Sequence, residues 1–588
     1  MSRARRIALR AYLTARHPGT AAWLERRLAA RMPSSAWAQR RERERRRHDL
    51  AVQAREWYRR SARPVLVAVV GPGADARATA RAARRTTAAP VTRTVVVPDP
   101  AAARTALRPG EDLVLLRAGV RPRAGWLPPL QLAAHQASGS VVGPRLLDAD
   151  GTLASAGVAL TPDGPEHRWA GRPASWPPAA PLQPALALDG ACLYVRGDAV
   201  AAFAGAFAGT LDDAAEALCA QVWAGGRRVL LAPASSVVAR PAPPRAKPTE
   251  PRGTQKIVYV TQDTGIGGGH RVIYTHLNGL AARGHDVELW TLAPSGPDWF
   301  ALDATVRRFS DYPTLAAALA PLDAIKVATW WETAPWVWEA SRTAGVAVYW
   351  VQDIETSYYP NDVAAHADVL ASYRPEFHFF AGCEWIAGQL RELGIRDVTA
   401  FTPGLDERAI RPLEGIERRA DVVLALGRSN PLKDFPLTLA TYQALGDLAP
   451  ELWLFGIEPQ LVDGLGPRAR YIERPSDEEV NRLLNEATIL LQTSKHEGFC
   501  LPVLEAMAAG AAVVCTDAHG NRDFCVHGEN CLMPADRSPA ALASAIHQLL
   551  ADPAMRERLS ANGRATAAAY AWPAKLDELD RRYREIAG

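Results

Sequence analysis

The sequence predicts an α/β protein: a pair of Rossmann-like domains with doubly wound parallel sheets, preceded by a smaller α/β domain and a basic helical segment. Three observations predict it. Short β-branched runs alternate with helical patterns over 256–588, the signature of parallel sheets covered by helices. A shorter alternation of the same kind occupies 64–240. Between the two runs ARPAPPRAKPTEPRG, with prolines at 241, 243, 244, 248 and 251; such chain is extended and builds no core, so 241–255 reads as a linker.

Taken in order, residues 1–63 are basic and helix-prone, with Ile7, Leu9, Leu13, Trp23, Leu24 and Leu28 among the arginines and an almost wholly charged RRERERRR at 40–47. In 64–240, Val65–Val70, Val91–Val97 and Leu113–Leu116 read as buried strands. The domain 256–410 opens with strand Lys256–Thr261, a Gly-rich loop and a helix reaching Arg283, then strands Val287–Thr291 and Val346–Val351. The domain 411–588 repeats the style, with strands Val422–Leu426, Leu452–Phe455, Ile489–Gln492 and Ala512–Cys515 and helices near Leu437–Leu445 and at Leu501–Ala509.

A chain of 588 residues, 48% hydrophobic and 22% charged, is sized for about three or four soluble domains. Its seven cysteines form no CxxC pair, no apolar run follows the basic amino terminus, and no stretch of about 18 apolar residues occurs. The expectation is free thiols in a reducing cytoplasm, with nothing spanning a bilayer. The net charge of +5 is uneven: residues 1–63 hold 18 Arg and 5 acids, a local +13, which leaves 5 − 13 = −8 for the rest. A solvated helix or disordered tail accounts for this; so does attraction to an anionic membrane surface, which would place the protein at the inner face of the plasma membrane. No recognised nucleic-acid module accompanies the charge.

Chemistry concentrates in the carboxyl half. Glu497-Gly-Phe-Cys-Leu-Pro-Val-Leu-Glu505 sets two carboxylates around a helix start. Gly498 permits close approach, Pro502 suits a first helical turn, and the free amides there can receive a diphosphate. Carboxylates repel phosphate, so Glu497 and Glu505 suit hydroxyls on either side of it. In Leu426-Gly-Arg-Ser-Asn-Pro-Leu-Lys433, Arg428 offers a planar donor fork and Lys433 a point charge, a pair fitted to a diphosphate leaving group. Gly267, Gly268 and Gly269 open a helix after strand Lys256–Thr261, and their amides could also cradle phosphate. This loop lacks the Lys-Ser/Thr of a P-loop and is not a strict GxGxxG. Trp330, Trp331, Trp336, Trp338 and Trp350 crowd the first of the two domains, either as core or as faces for sugar rings.

On GGGH with RGHDV, ALGRSNPLKDF, TSKHEGFCLPVLEAMAAGAAVVCTD and GNRDFCVHGENCLMP, the whole of 256–588 resembles glycosyltransferase family 4, of GT-B fold. The resemblance implies transfer from a nucleoside-diphosphate sugar with retention of anomeric configuration and without metal or other cofactor. It implies that Glu497 contacts donor-sugar hydroxyls, Glu505 holds the ribose, Arg428 and Lys433 hold the diphosphate, and Phe499, Cys500 and Leu501 line the donor. The segment YWVQDIETSYYP is similar to bacterial rhamnosyltransferases that build surface polysaccharide, which implies a glycan or lipid-linked glycan acceptor. Many relatives carry a His after the strand Val346–Val351; here Gln352 and Asp353 follow it. Gln352 could take that role, Asp353 could orient the acceptor, or both could be plain loop residues.

Residues 64–240 resemble glycosyltransferase family 2, of GT-A fold, through VVGPRLLDADGTLASAGVAL, LDGACLYVRGDAV and TLDDAAEALCAQVWAGGRRVLLAPASSVVAR. That family's metal-binding carboxylates would fall at Arg117 and Gly119, and its closing His at Arg240, while Asp212 and Asp213 keep an acidic pair. The expectation is a kept fold without a metal site. Two rival readings stand beside a transferase: a non-catalytic scaffold of a polysaccharide assembly complex, and a nicotinamide-dependent oxidoreductase, which needs an acidic ribose ligand after a strict glycine fingerprint.

Overall fold

The computed structural model describes residues 51–87, 92–245, 256–446 and 449–587. Of the basic segment 1–63, residues 51–61 are helical; the expectations for 1–50, membrane attraction among them, lie outside the described residues. The linker reading of 241–255 is likewise described only to residue 245. Among the described residues no helix is long and apolar enough to cross a membrane.

The chain divides into two compact units, 1–249 with Tyr358–Glu376, and 250–357 with Phe377–Gly588. In the first, a mixed sheet runs in the order Thr92–Val97, Val65–Val70, Asp112–Arg117, Cys192–Val195, Gly139–Leu147, Arg228–Val238, Arg121–Pro122. The first three strands are parallel, and Cys192–Val195 is antiparallel to both its neighbours. Every residue of Val65–Val70 is buried, which is why this run shows no alternation in sequence. The segment Tyr358–Glu376 joins this unit and not the expected domain 256–410. Its buried Arg374 donates to the Pro184 carbonyl at 2.7 Å and to Glu376 at 3.0 Å.

The second unit holds two all-parallel sheets. One has seven strands, Thr305–Arg308, Asp286–Thr291, Lys256–Thr261, Ile325–Ala328, Val346–Val351, His378–Ala381 and Val398–Ala400, and the other five, Ala469–Glu473, Glu451–Gly456, Arg419–Gly427, Ala487–Gln492 and Ala512–Cys515. In each, the first strand in sequence lies inside the sheet and the chain runs outward from it in both directions. The strand order therefore reverses beside Lys256–Thr261 and beside Arg419–Gly427, and open α/β sheets bind ligands past the carboxyl ends of such strands. The glycine loop and the Arg428–Lys433 loop both leave those ends.

The last helix departs from the expected boundary at 410/411. Trp572–Ile586 lies within the core of the seven-stranded sheet through Leu576, Leu579 and Tyr583. The Tyr583 hydroxyl shares a 2.7 Å hydrogen bond with that of Tyr259, and Asp577 and Asp580 pair with Arg283 and His285. The apolar stripe of this helix thus completes the first Rossmann-like layer, not the second.

Candidate active site

Strand Arg419–Gly427 delivers Arg428 and Lys433 to the end of the five-stranded sheet. The turn between them is fixed by the Asn430 side chain, which accepts from the Leu432 amide at 2.9 Å. Asp434 takes the left-handed conformation at φ 51° and starts helix Phe435–Ala444. Lys433 Nζ donates to both carboxylate oxygens of Glu497 at 2.7 Å. Glu497 Oε1 also accepts from Gln492 at 3.0 Å and Ser494 at 2.6 Å. The carboxylate is buried and takes four hydrogen bonds, three on Oε1 and one on Oε2, so it holds the Lys433 charge in place. Arg428 lies 3.3 Å from Glu458, whose carboxylate also accepts from the Ser429 amide.

Glu505 differs. It makes no hydrogen bond or ion pair among the described residues, and burial pushes its carboxyl up to about 7, against the nearby Arg271 charge that lowers it. The two glutamates are thus unlike: one takes four hydrogen bonds, the other none among the described residues.

The chain between them turns sharply. Cys500 is left-handed at φ 79° and caps helix Leu501–Ala509. Phe499 packs against Phe524 and Tyr570, and Leu501 packs on the core of the seven-stranded sheet. A side chain at Gly498 would meet the Gln352 carbonyl oxygen at 2.0 Å, and one at Gly520 would meet the Gly498 carbonyl oxygen at 2.4 Å. Only glycine allows these three backbone segments to converge.

From the other sheet comes the glycine loop. Gly267 caps helix Gly268–Ala281. A Cβ on Gly269 would lie 3.0 Å from the Gln352 amide oxygen, and one on Gly268 would touch Leu501 at 3.9 Å. The start of this helix therefore approaches the start of helix Leu501–Ala509 across the domain junction, and both have amides free of intrahelical partners. Arg271 spans the junction as a fork to Asp477, at 2.7 and 2.9 Å.

Asp353 is engaged. Its carboxylate pairs with His496 Nε2 and accepts from the Ile354 amide at 2.7 Å. His496 Nδ1 lies 2.9 Å from His519 Nδ1, and Trp385 stacks on His519 with ring centroids 4.5 Å apart. This chain of groups ties the end of strand Val346–Val351 to the loop bearing Glu497. Burial, with the neighbouring His496, lowers the His519 imidazole. His496, His519, Trp385 and Arg271 escaped the sequence reading. The pattern HEG…AHGN placed both histidines next to the glutamate loop, but nothing in it announced a partner some 140 residues earlier. Of the tryptophans, Trp338 and Trp350 are core, 2% and 1% exposed, while Trp330, Trp331 and Trp336 are half-buried.

In the first unit, Arg117 pairs with Asp212, lies 3.5 Å from Asp189, and donates to the Arg240 carbonyl at 3.4 Å. Asp213 forms a capping box with Thr210 at the start of helix Leu211–Ala224. It also pairs with Arg245 at 2.7 Å. The acidic pair therefore has structural partners for both members.

Residues 461–566 match the family model of glycosyl transferases group 1. The D-inositol 3-phosphate glycosyltransferases of Corynebacterium urealyticum and Geodermatophilus obscurus are 28% and 33% identical to this chain over 210 residues, 32% of it and 49% and 46% of theirs. The chain spans about half the length of these curated relatives. Sucrose-phosphate synthase from Thermosynechococcus elongatus, 20% identical, superposes with a TM-score of 0.50 over 56% of this chain and 99% of its own. The second unit has the GT-B fold of two Rossmann-like domains, and the match to the group 1 glycosyl transferases lies within it.

Proposed function

We propose that the second unit transfers a sugar from a nucleoside-diphosphate sugar to a hydroxyl of a growing cell-surface glycan, with retention and without a divalent cation. One observation carries the reading: Lys433 is locked on Glu497 beside a helix start, while Glu505, one further turn into that helix, keeps an open carboxylate. In this reading the diphosphate sits on the amides of helix Leu501–Ala509 between Lys433 and Arg428. The donor sugar lies at the Glu497 side and the ribose diol donates to Glu505. As the bond from the anomeric carbon to the diphosphate breaks, charge builds on the leaving oxygen, where Lys433 and the helix amides face it. The acceptor hydroxyl bonds to the same face of that carbon, and its proton passes to the departing phosphate. The protein then supplies position and charge, not a base. Asp353 serves here by holding His496 and the junction between domains.

Rhamnose as the donor sugar rests on the YWVQDIETSYYP resemblance alone. The similarity to D-inositol 3-phosphate glycosyltransferases makes a phosphorylated polyol the acceptor to try beside glycans. The first unit is, in this reading, non-catalytic, since Arg117 stands paired where a cation-binding carboxylate would be needed. The test is a panel of nucleoside diphosphates and their sugars read by thermal shift, followed by turnover with the ones that bind. A ligand that binds only the native state raises its melting temperature. The reading holds if nucleoside-diphosphate sugars stabilise the protein and Glu505→Gln removes the shift; it fails if none binds, or if binding is untouched in that variant.

A further inference from the structure

We propose that Cys515, Cys525 and Cys531 form a binding site for one zinc ion that staples the segment 515–533 behind the loop carrying Glu497. The three sulfurs lie within 4.8 Å of one another and all three residues are buried. The chain builds this trio by three separate devices. Cys515 ends strand Ala512–Cys515. Leu532 returns beside that strand, donating to the Val513 carbonyl at 2.8 Å and accepting from the Cys515 amide at 3.0 Å, which brings Cys531 alongside. The short helix Gly520–Asp523 turns Cys525 inward through its amide on the Asn521 carbonyl, at 2.8 Å.

The loop from Cys525 to Cys531 is closed independently of any ion. The Asn530 side chain accepts from the Val526 amide at 2.8 Å and donates to the Phe524 carbonyl at 2.7 Å. Gly528, at φ 78°, donates to the Cys531 carbonyl at 2.8 Å. Such closure holds the sulfurs in place before an ion arrives. Tetrahedral zinc with sulfur at about 2.3 Å sets its thiolates roughly 3.8 Å apart, so the trio needs to contract by about an ångström or less. A disulfide would use two of the three and leave the third without purpose. Softness selects a thiophilic cation over magnesium or calcium.

Around the sulfurs, Asn521 Nδ2 lies 3.6 Å from Cys515 Sγ and also holds the Thr516 carbonyl at 2.9 Å, the kind of outer partner that orients a metal ligand. The one imidazole of the same loop, His527, is exposed and lies outside the trio; its Nδ1 accepts from the Met533 amide at 2.9 Å, so the fourth position falls to an exchangeable ligand. The consequence reaches the site. The Glu497 amide donates to the Ala518 carbonyl at 2.9 Å and the Gly520 amide to the Glu497 carbonyl at 3.1 Å, so the stapled segment is the backing of the Glu497 loop.

The test uses the full chain purified without chelator, with metal content measured and cobalt(II) titrated into metal-stripped, reduced protein. One zinc per chain is expected, and cobalt should give thiolate charge-transfer bands saturating at one equivalent. Cys525→Ser and Cys531→Ser should each weaken cobalt binding a hundredfold or more, and Cys192→Ser, buried in the other unit, should not. Reduced protein that gives no bands, with the three thiols acting as plain core residues, overturns the proposal. So do bands that survive Cys531→Ser, or a disulfide within the trio recovered from freshly purified, unreduced protein in place of metal. If Cys531→Ser does not fold, the wild-type zinc count and cobalt spectrum decide. Neither readout depends on sugar transfer, so failure here and failure of the proposed function are separable.

Discussion

The two units of this molecule each bring a cation and carboxylates to the ends of parallel strands, and they finish the arrangement differently. In the first, Arg117 at the end of Asp112–Arg117 is paired with Asp212 and Asp189, and Asp213 is spent on a helix cap and Arg245. Among the described residues, each of these groups there is held by another charge of the unit. In the second, Lys433 is held by Glu497 while Glu505, one turn into the helix Leu501–Ala509, has no partner among the described residues, and burial pushes its carboxyl up to about 7. An unpartnered, half-buried acid is a cost to folding, and such costs gather where ligands bind. The lesson is that an acid–base pair is not a site by itself; the open group beside it marks the site.

The comparison sharpens first at Lys433. Lys433→Ala should lower turnover by about a hundred- to a thousandfold, the scale for losing a charge that faces the leaving group. It should also cost about 1–3 kcal/mol of stability, because Glu497 keeps its burial and loses a charged donor. Circular dichroism and a denaturant titration would separate the two effects.

Glu505 gives a test with opposite signs. Its folded carboxyl ionises at about 7 against an ordinary 4.5. Its stabilising effect is therefore complete below about 4.5 and lost as pH rises through 7. Donor binding should move the other way, tightening as pH rises through 7, since the ionised carboxylate is the better acceptor for a diol. Glu505→Gln should thus raise stability at pH 8 by about 1–2 kcal/mol, flatten the pH dependence of donor KM, and lose most transfer. A Gln variant that loses stability at pH 8 would break the contrast between the two glutamates.

His496→Ala should have a smaller effect, about tenfold on kcat/KM and more on KM than on kcat. It unties Asp353 from the Glu497 loop without removing a group that faces the donor. Steady-state kinetics with a varied donor would show the split. Least of all, Asp212→Ala in the first unit should leave transfer unchanged, and addition or omission of magnesium or manganese should do the same. A cation requirement abolished by Asp212→Ala would make the first unit a second active site.

How much of this was legible in the sequence depended on whether the information was local. Buried runs such as Val65–Val70 and Val346–Val351 declared their strands by composition, and the E-x7-E spacing marked the helix start. Short or polar strands did not: Ile325–Ala328 contains Lys326, whose ammonium is absorbed by the carbonyls of Ala340 and Ala344 at 2.9 and 2.7 Å. Ala469–Glu473 is an edge strand with little apolar content. Long-range pairings were silent. The tie between Asp353 and His496, the docking of Trp572–Ile586 on the first sheet of its unit, and the capture of Tyr358–Glu376 by the other unit depend on distant segments meeting. The three cysteines, ten and six residues apart, match no metal spacing that sequence reasoning knows; the return of Leu532 to strand Ala512–Cys515 unites them.

The most direct test of the account is sugar turnover by the full chain, in parallel for wild type, Lys433→Ala and Asp212→Ala, with a nucleoside-diphosphate sugar that stabilises the protein. Wild type and Asp212→Ala should release nucleoside diphosphate at the same rate, and Lys433→Ala should fall by about a hundredfold or more. Loss of activity in Asp212→Ala with Lys433→Ala intact would contradict it.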